Sequence, residues 1–345
     1  MPYHITLQPS GHEFQVVDDE PVLSAALREK GNVLPYNCRN GTCGSCMGTI
    51  LSGQVIYPDG RPPGLSESEE AEGKALLCQA RPRSDLVIQV REVKTGGDIP
   101  VKILPCRVER HELLASDVMR LYLKLPSTER LQFLAGQYID ILLADGRRRS
   151  FSLANPPHTN ELLELHVRHV PEGFFTGYVF DKMKEKALLR FQGPLGTFFL
   201  REEASWPIIL IGGGTGFAPL KGMLEHAFHI GLDRPLHLYW GARAKGDLYL
   251  DELPRRWTKE HSNFRYTPVL SEPRPEEAWD GRTGWVHEAV AADYPDLSGH
   301  EVYMSGPPPM IEAARPAFAA RGLPADQLFY DSFEFASDTA SRTRG

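Results

Sequence analysis

The 345-residue sequence predicts a multidomain chain of mixed class, α+β followed by α/β. Three observations predict it. Residues 1–93 combine short alternating runs with one helical stretch and carry four cysteines. Residues 101–203 break into short alternating runs punctuated by Gly and Pro, the pattern of a closed antiparallel β-barrel. From 204 to 345 apolar strands take turns with helical patterns, the signature of a parallel sheet covered on both faces. Between the first two domains, residues 94–100 hold two glycines and a proline without apolar periodicity and read as a linker.

Composition narrows the class of partner. Charged residues at 24 % and apolar residues at 41 % describe an ordinary globular mixture rather than a disordered chain. No run of 18 apolar residues is present, so no membrane span is expected. The first residues lack a basic segment followed by an apolar core, so the expected compartment is the cytoplasm. Net charge is −7, and residues 1–93 alone hold 8 Lys/Arg against 12 Asp/Glu. Phosphate binding needs clustered positive charge, so nucleic acid is not an expected partner. The acidic run Glu67, Glu69, Glu70 and Glu72 would steer a basic partner. A plainer reading is a solvated helix face, since Ser66-x-x-Glu69 already has the form of a capping box.

In the first domain, Ile5, Leu7, Phe14 and Val16 alternate as in strands, and Val22 to Leu27 forms a helix ending at Gly31. A strand from Gly48 to Leu51, a short helix after Ser66 and a last strand from Leu86 to Val90 complete a small mixed sheet with one main helix, a β-grasp layout. Its cysteines Cys38, Cys43 and Cys46 stand as C-x4-C-x2-C, and Cys78 follows after 31 intervening residues. Three thiolates on one glycine-rich loop and a distant fourth match a [2Fe-2S] cluster of the plant type. Gly41 and Gly44 free the loop for positive φ and let N–H groups turn toward sulfides, while Thr42 and Ser45 offer hydroxyl donors. Zinc and a redox dithiol are the competing readings of C-x2-C; a zinc ribbon usually shows two such pairs and this chain has one. Cys106 is a small residue on a barrel strand.

Strands are predicted in the barrel at Lys102 to Val108, Val118 to Leu125, Tyr138 to Leu143, Leu162 to Val170 and Leu188 to Phe191. Arg149-Ser150-Phe151-Ser152 opens another, with Arg149 and Phe151 on one face and Ser150 and Ser152 on the other. A guanidinium beside an aromatic ring suits a ligand with both a diphosphate and a flat heterocycle, and FAD is such a ligand. Taken alone, the tetrapeptide is equally an edge-strand arginine over an aromatic. Downstream, His166 and Arg168 add cationic side chains, and Gly173 with Thr176 marks a small-residue turn into a helix whose free N–H groups bind phosphate. His166 and His169 point to opposite strand faces, and His226 and His229 lack carboxylate or cysteine companions, so no metal site is read from them.

In the third domain Ile208 to Ile211 runs straight into Gly212-Gly213-Gly214-Thr215-Gly216, then a helix with Pro219 in its first turn. A strand emptying into glycines and a helix start makes a phosphate cradle. G-x-G-x-x-G fails at Phe217, so this is a dinucleotide loop of another type. Ser305-Gly306-Pro307, after the strand Val302 to Met304, is a second Gly/Pro turn at a sheet's carboxyl edge, where nicotinamide nucleotides bind. Further strands and helices are predicted at Leu236 to Trp240, Pro219 to His229 and Met310 to Arg321.

In this order, C-x4-C-x2-C, R-x-F-S, G-G-T-G-x-x-P and S-G-P-P-P-M resemble the iron-sulfur flavoprotein reductases of the plant-type ferredoxin-NADP reductase superfamily over nearly the whole chain. The resemblance runs most strongly to CDP-6-deoxy-3,4-glucoseen reductases and to reductase components of bacterial aromatic-ring oxygenases. It implies a relay from NAD(P)H to FAD to a [2Fe-2S] centre, and onward to a dehydratase or oxygenase component docking near the cluster domain. It implies that Arg149 pairs with the FAD diphosphate, Phe151 lies against the isoalloxazine, Ser152 approaches N5, and Thr176 reaches the diphosphate after Gly173. Gly213, Gly214, Thr215 and Gly216 would hold the nicotinamide nucleotide, and Phe333 would cover the flavin until nicotinamide displaces it. The sequence departs from the pattern at Phe151, where tyrosine is common, at Ser305, where cysteine is frequent, and in the dozen residues after Phe333, Phe335 included. Arg243 is one cation without a clear second for a 2′-phosphate, so NADH is favoured over NADPH. One chain suffices for such a relay, so a monomer is compatible with it. The alternative of another class, a redox-sensing module without turnover, finds no DNA-reading helix or output domain in the sequence.

Overall fold

The computed structural model describes residues 2–17, 19–31, 33–93 and 99–334. Most of the 94–100 linker and Phe335 therefore lie outside the described residues. The chain divides into two compact units, residues 1–102 with 194–197, and residues 103–193 with 198–345. Among the described residues no helix is long and apolar enough to cross a membrane.

The first unit contains β1 (Tyr3–Gln8), β2 (Glu13–Val16), α1 (Val22–Lys30), β3 (Met47–Ser52), β4 (Val55–Ile56), α2 (Glu67–Ala71), β5 (Lys74–Leu76), β6 (Arg81–Pro82) and β7 (Leu86–Gln89). Its sheet runs β2-β1-β7-β3-β5, with β1 and β7 parallel and the other pairs antiparallel. Ile5, Leu7, Phe14 and Val16 point inward because alternate strand residues share a face, and they meet Val22, Leu23, Ala25 and Ala26 of α1. The capping box at α2 forms: Ser66 Oγ accepts from the Glu69 N–H, and the Glu69 carboxylate accepts from the Ser66 N–H.

The second unit begins with the barrel: β8 (Lys102–Ala115), β9 (Val118–Lys124), β10 (Tyr138–Leu142), β11 (Arg148–Ser152), β12 (Leu163–Arg168), α3 (Phe174–Asp181) and β13 (Leu188–Leu195). Its order is β11-β10-β13-β8-β9-β12, and an antiparallel bridge between Leu153 and Leu165 closes the ends. Closure removes the exposed sheet edges that invite aggregation. Cys106 lies in this core at 3 % exposure, and burial pushes its thiol up to about 12, so it is a small apolar residue here.

The remainder builds β14 (Ile208–Gly213), α4 (Phe217–His229), β15 (Leu236–Ala242), α5 (Glu252–Glu260), β16 (Phe264–Leu270), β17 (Arg282–Thr283), α6 (Val286–Asp293), β18 (Glu301–Gly306), α7 (Pro308–Ala319) and β19 (Leu328–Ser332). All neighbouring strands are parallel in the order β17-β16-β15-β14-β18-β19. Period-2 alternation splits β14 between two cores: Ile208 and Leu210 pack with α4 and α5, Ile209 and Ile211 with α6 and α7. Chain order reverses between β14 and β18, which is the switch point where open sheets bind ligands.

Candidate functional site

The cysteine loop in the first unit is braced from outside. Gly41 and Gly44 have φ of +84° and +75°, and a Cβ on Gly41 would stand 2.8 Å from Pro62 Cβ. The Gly64 N–H donates to Gly41 O at 2.9 Å and Gln79 Nε2 donates to Arg39 O at 2.9 Å, so two distant segments fix the loop. Within it the sulfurs fall into two pairs, Cys38 with Cys43 and Cys46 with Cys78. Hydrogen bonding from the Cys43 thiol holds the Cys38 thiol down at about 5 against burial, helped by the Thr42 hydroxyl and the Cys43 N–H at 3.5 and 3.4 Å. Cys43 and Cys46 are pushed up, each first by donating to its pair partner and then by burial.

Among the described residues no three His, Cys, Asp or Glu side chains converge on a single metal ion. The thiols of Cys38, Cys43, Cys46 and Cys78 are the donor set that a [2Fe-2S] cluster takes, two to each iron. Ser45 Oγ is buried beside Cys43 without a hydrogen bond of normal geometry, so it is available to a sulfide.

In the second unit β11 pairs with β10 so that Phe151 faces Ile139 and Arg149 faces Ile141, while Ser152 faces Tyr138. Phe151 packs on the barrel core, its ring 5.5 Å from Phe175 and tilted by 47°. Arg149 is half-buried on the same strand face, its Nη1 donating to Arg148 O at 2.8 Å. Ser150 Oγ donates to Asp140 Oδ1 at 2.7 Å on the strand face opposite Phe151. Gly173 caps α3, and a Cβ there would collide with Thr176 Oγ1. The Thr176 hydroxyl accepts from the Val170 N–H at 3.2 Å and is itself within donating distance of Val170 O and Gly173 O. It shapes the turn, and the N–H groups opening α3 remain for an anion.

At the switch point β14 and β18 touch almost backbone to backbone. A Cβ on Gly216 would collide with the Ser305 carbonyl oxygen, one on Gly306 (φ +148°) would stand 3.0 Å from Gly213 Cα, and one on Gly213 would lie 2.8 Å from Pro307 Cδ. Thr215 is buried between them, and Trp240 Nε1 donates to Gly214 O at 2.9 Å from below. Ser305 is fully buried, and its hydroxyl has no hydrogen-bond partner among the described residues. Phe333, directly after β19, donates its N–H to Gly306 O at 2.9 Å and is half-buried. Glycines here let the two turns approach as no residue with a Cβ could.

Ser152 and Arg168 bring the barrel to this edge. Ser152 Oγ donates to Asp331 Oδ2 at 3.1 Å, both residues buried, so the flavin-type strand and the nucleotide sheet share one hydrogen bond. Asp331 has no local sequence signal; only the parallel register Ser305↔Asp331 brings it there. Arg168 Nε donates to Asp117 at 2.9 Å, and its guanidinium stands 2.7 Å from where a Gly214 Cβ would be, above the glycine loop.

His166 is fastened inside the second unit. Its Nε2 is 2.9 Å from Glu164 Oε1 and its Nδ1 3.0 Å from Tyr249 Oη, and its side chain has no exposed surface. Both ring nitrogens are engaged in protein contacts. Glu164 also accepts from Lys221 Nζ at 3.1 Å. Burial pushes the Glu164 carboxyl up, but the His166 hydrogen bond and the Lys221 charge outweigh it and hold it at about 2.

Comparison with known proteins follows the same three parts. The description "2Fe-2S iron-sulfur cluster binding domain" matches residues 5–83, "Oxidoreductase FAD-binding domain" residues 105–200, and "Oxidoreductase NAD-binding domain" residues 210–316. The chain is 40 % identical over 333 residues to the CDP-6-deoxy-L-threo-D-glycero-4-hexulose-3-dehydrase reductase of Yersinia pestis, covering 96 % of this chain and 99 % of that one. It is 35 % identical to the phenol 2-monooxygenase reductase component DmpP of Pseudomonas sp. strain CF600, covering 99 % and 98 %. Among solved structures, the Amycolatopsis cytochrome P450 reductase GcoB superposes with a TM-score of 0.80 at 35 % identity, covering 97 % of this chain and all of that one. With the three domains matched in order and relatives aligned nearly end to end, the chain belongs to the iron-sulfur flavoprotein reductases of the plant-type ferredoxin-NADP reductase superfamily.

Proposed function

We propose that this reductase draws electrons from NADH and delivers them one at a time to a separate 3-dehydrase acting on a CDP-6-deoxyhexulose. When bound, FAD supplies a group that accepts an electron pair and releases single electrons, and the [2Fe-2S] cluster carries them singly. The chain's own residues bind and orient. Arg149 and the opening N–H groups of α3 at Gly173 take the FAD diphosphate, and Phe151 offers its ring to the flavin. Arg168 with Gly213, Gly214, Thr215, Gly216, Gly306 and Pro307 takes the nucleotide diphosphate, and Phe333 closes the edge between the two ligands. Ser305 serves from beneath, its buried position keeping the turn tight. The Ser152–Asp331 hydrogen bond carries the reading, because it ties the flavin strand to the sheet edge where the nicotinamide must arrive. NADH is preferred because Arg243, which follows β15, is paired with Asp247 at 3.1 Å and with Asp117 at 3.9 Å.

The dehydrase is named as acceptor because the Yersinia relative is the more similar of the two reported, 40 % against 35 %. Anaerobic titration with NADH, followed by visible absorption and by electron paramagnetic resonance, tests the relay. Cys38→Ser is expected to keep flavin bleaching and ferricyanide reduction while abolishing the cluster signal and cytochrome c reduction. Purified protein whose cluster is not reduced by NADH would refute it. Reconstitution with a purified 3-dehydrase or with a phenol hydroxylase identifies the acceptor by which of them turns over.

A further inference from the structure

We propose that Gln79 is a positioning residue that tunes the reduction potential of the cluster, by aiming a backbone N–H of the cysteine loop at the Cys38 sulfur. The peptide between Arg39 and Asn40 is the part it holds. Gln79 Nε2 donates to Arg39 O at 2.9 Å. The Asn40 N–H, at the other end of the same peptide, is among the hydrogen-bond donors to the Cys38 sulfur. In a planar trans peptide the C=O and the N–H point to opposite sides, so a donor that fixes the oxygen also fixes where the hydrogen points. Such tuning holds whichever acceptor takes the electrons.

Both ends of this strap are anchored. Gln79 directly follows the ligand Cys78 in a tight turn: its own N–H and that of Ala80 donate to Leu76 O at 3.0 and 2.9 Å, and the Leu76 N–H donates to Tyr57 Oη at 3.0 Å. The Val22 and Leu23 N–H groups, which open α1, donate to Ala80 O and Leu77 O at 3.0 and 2.9 Å. Leu77, Cys78 and Ala80 are buried, so the turn is a firm base. At the other end Arg39 has φ of +57°, a conformation that costs a residue with a Cβ and persists only where its surroundings impose it. Gln79 imposes it, its Cγ packed where a Cβ on Gly41 would come within 3.0 Å. Asn40 Oδ1 adds to the constraint by accepting from the Thr42 N–H at 3.2 Å and the Thr42 hydroxyl at 2.6 Å. Cys38 belongs to one sulfur pair and Cys78 to the other, so the strap crosses the site from one pair to the other. A hydrogen bond to a ligand sulfur offsets the negative charge that grows by one on reduction, and so raises the potential. A donor on the carbonyl polarises the peptide and strengthens the N–H at its far end.

The midpoint potential of the cluster is measured in the holoenzyme by dithionite titration with mediator dyes, read by electron paramagnetic resonance. Gln79→Met keeps the side chain's length without a donor. It is expected to make reduction roughly 3- to 10-fold less favourable, a fall of about 30–60 mV when converted at about 59 mV per tenfold for one electron. Gln79→His carries its Nε2 as many bonds from Cα as glutamine does, and at about pH 8, where imidazole is neutral, it is expected to stay within twofold of wild type. Ser66→Ala removes the cap of α2, lies outside the strap, and is expected to lower stability while leaving the potential in place. A Met variant shifted by less than threefold overturns the proposal, as does a His variant lowered by more than twofold or a Ser66→Ala shift as large as that of Met. If Gln79→Met fails to hold its cluster, Gln79→His decides alone: a potential within twofold of wild type supports the strap, and a cluster lost or lowered further overturns it.

Discussion

Asp331 is 4 % exposed and accepts from Ser152 across two segments far apart in sequence. Ser152→Ala removes that donor from a buried carboxylate and is expected to destabilise the unit by about 1–3 kcal/mol. The same change is expected to slow NADH-dependent flavin reduction in stopped flow, and an unchanged rate would show that the hydroxyl is structural only. Gly216→Ala is a sharper case, because its methyl would collide with the Ser305 carbonyl and force β14 from β18. Its expected outcome is at least a tenfold weaker NADH affinity by titration with flavin retained. The cysteines, the serine of R-x-F-S and the glycine run were legible from spacing because each depends on its own neighbours in sequence. Asp331 was not, since its place depends on a strand register that no local pattern encodes.

On β12, Glu164, His166 and Arg168 alternate with apolar Leu165 and Val167, so all three point out of the barrel toward the nucleotide half of the same unit. The sequence offers His166 and Arg168 as cations but not what faces them; in the structure His166 is a buried fastening between Glu164 and Tyr249. The strand β16 was hidden for a related reason: Pro268 interrupts its apolar run, and the structure accommodates it because β17 pairs only with Val269 and Leu270. On β15, His237 is held between Tyr294 Oη at 2.8 Å and Thr267 Oγ1 at 2.9 Å. Burial, with Arg265 nearby, pulls its pKa down to about 4 from the ordinary 6.5. The unfolded chain therefore takes up this proton first. Its stabilisation is complete above about pH 6.5 and is lost as pH falls toward about 4. Denaturant titrations across that window should show stability declining with acid, and His237→Gln should flatten the slope.

Within the second unit, buried charge joins the barrel to the nucleotide sheet. Lys221 on α4 meets Glu164 of the barrel and Glu225 of its own helix, and its Nζ also donates to Ala154 O. Removing one member of such a set leaves the other charge buried and uncompensated. Lys221→Met is expected to cost about 3–5 kcal/mol. Thermal unfolding followed by flavin fluorescence should then shift down, while bleaching of the cluster, which belongs to the other unit, keeps its wild-type midpoint. Equal shifts of both signals would contradict the division into two units.

The contact of Gly213 and Gly216 with Ser305 and Gly306 also sets a timetable. A ribosome adds roughly 5–20 residues per second and domains fold as units in order of emergence. The four cysteines are all in place by residue 78, whereas the dinucleotide turn waits for residue 306 and the partner of Ser152 for residue 331. Newborn chains can thus take up iron and sulfide well before they can admit a nicotinamide, and a chain cut short in its last strands would carry a cluster that nothing within it can charge.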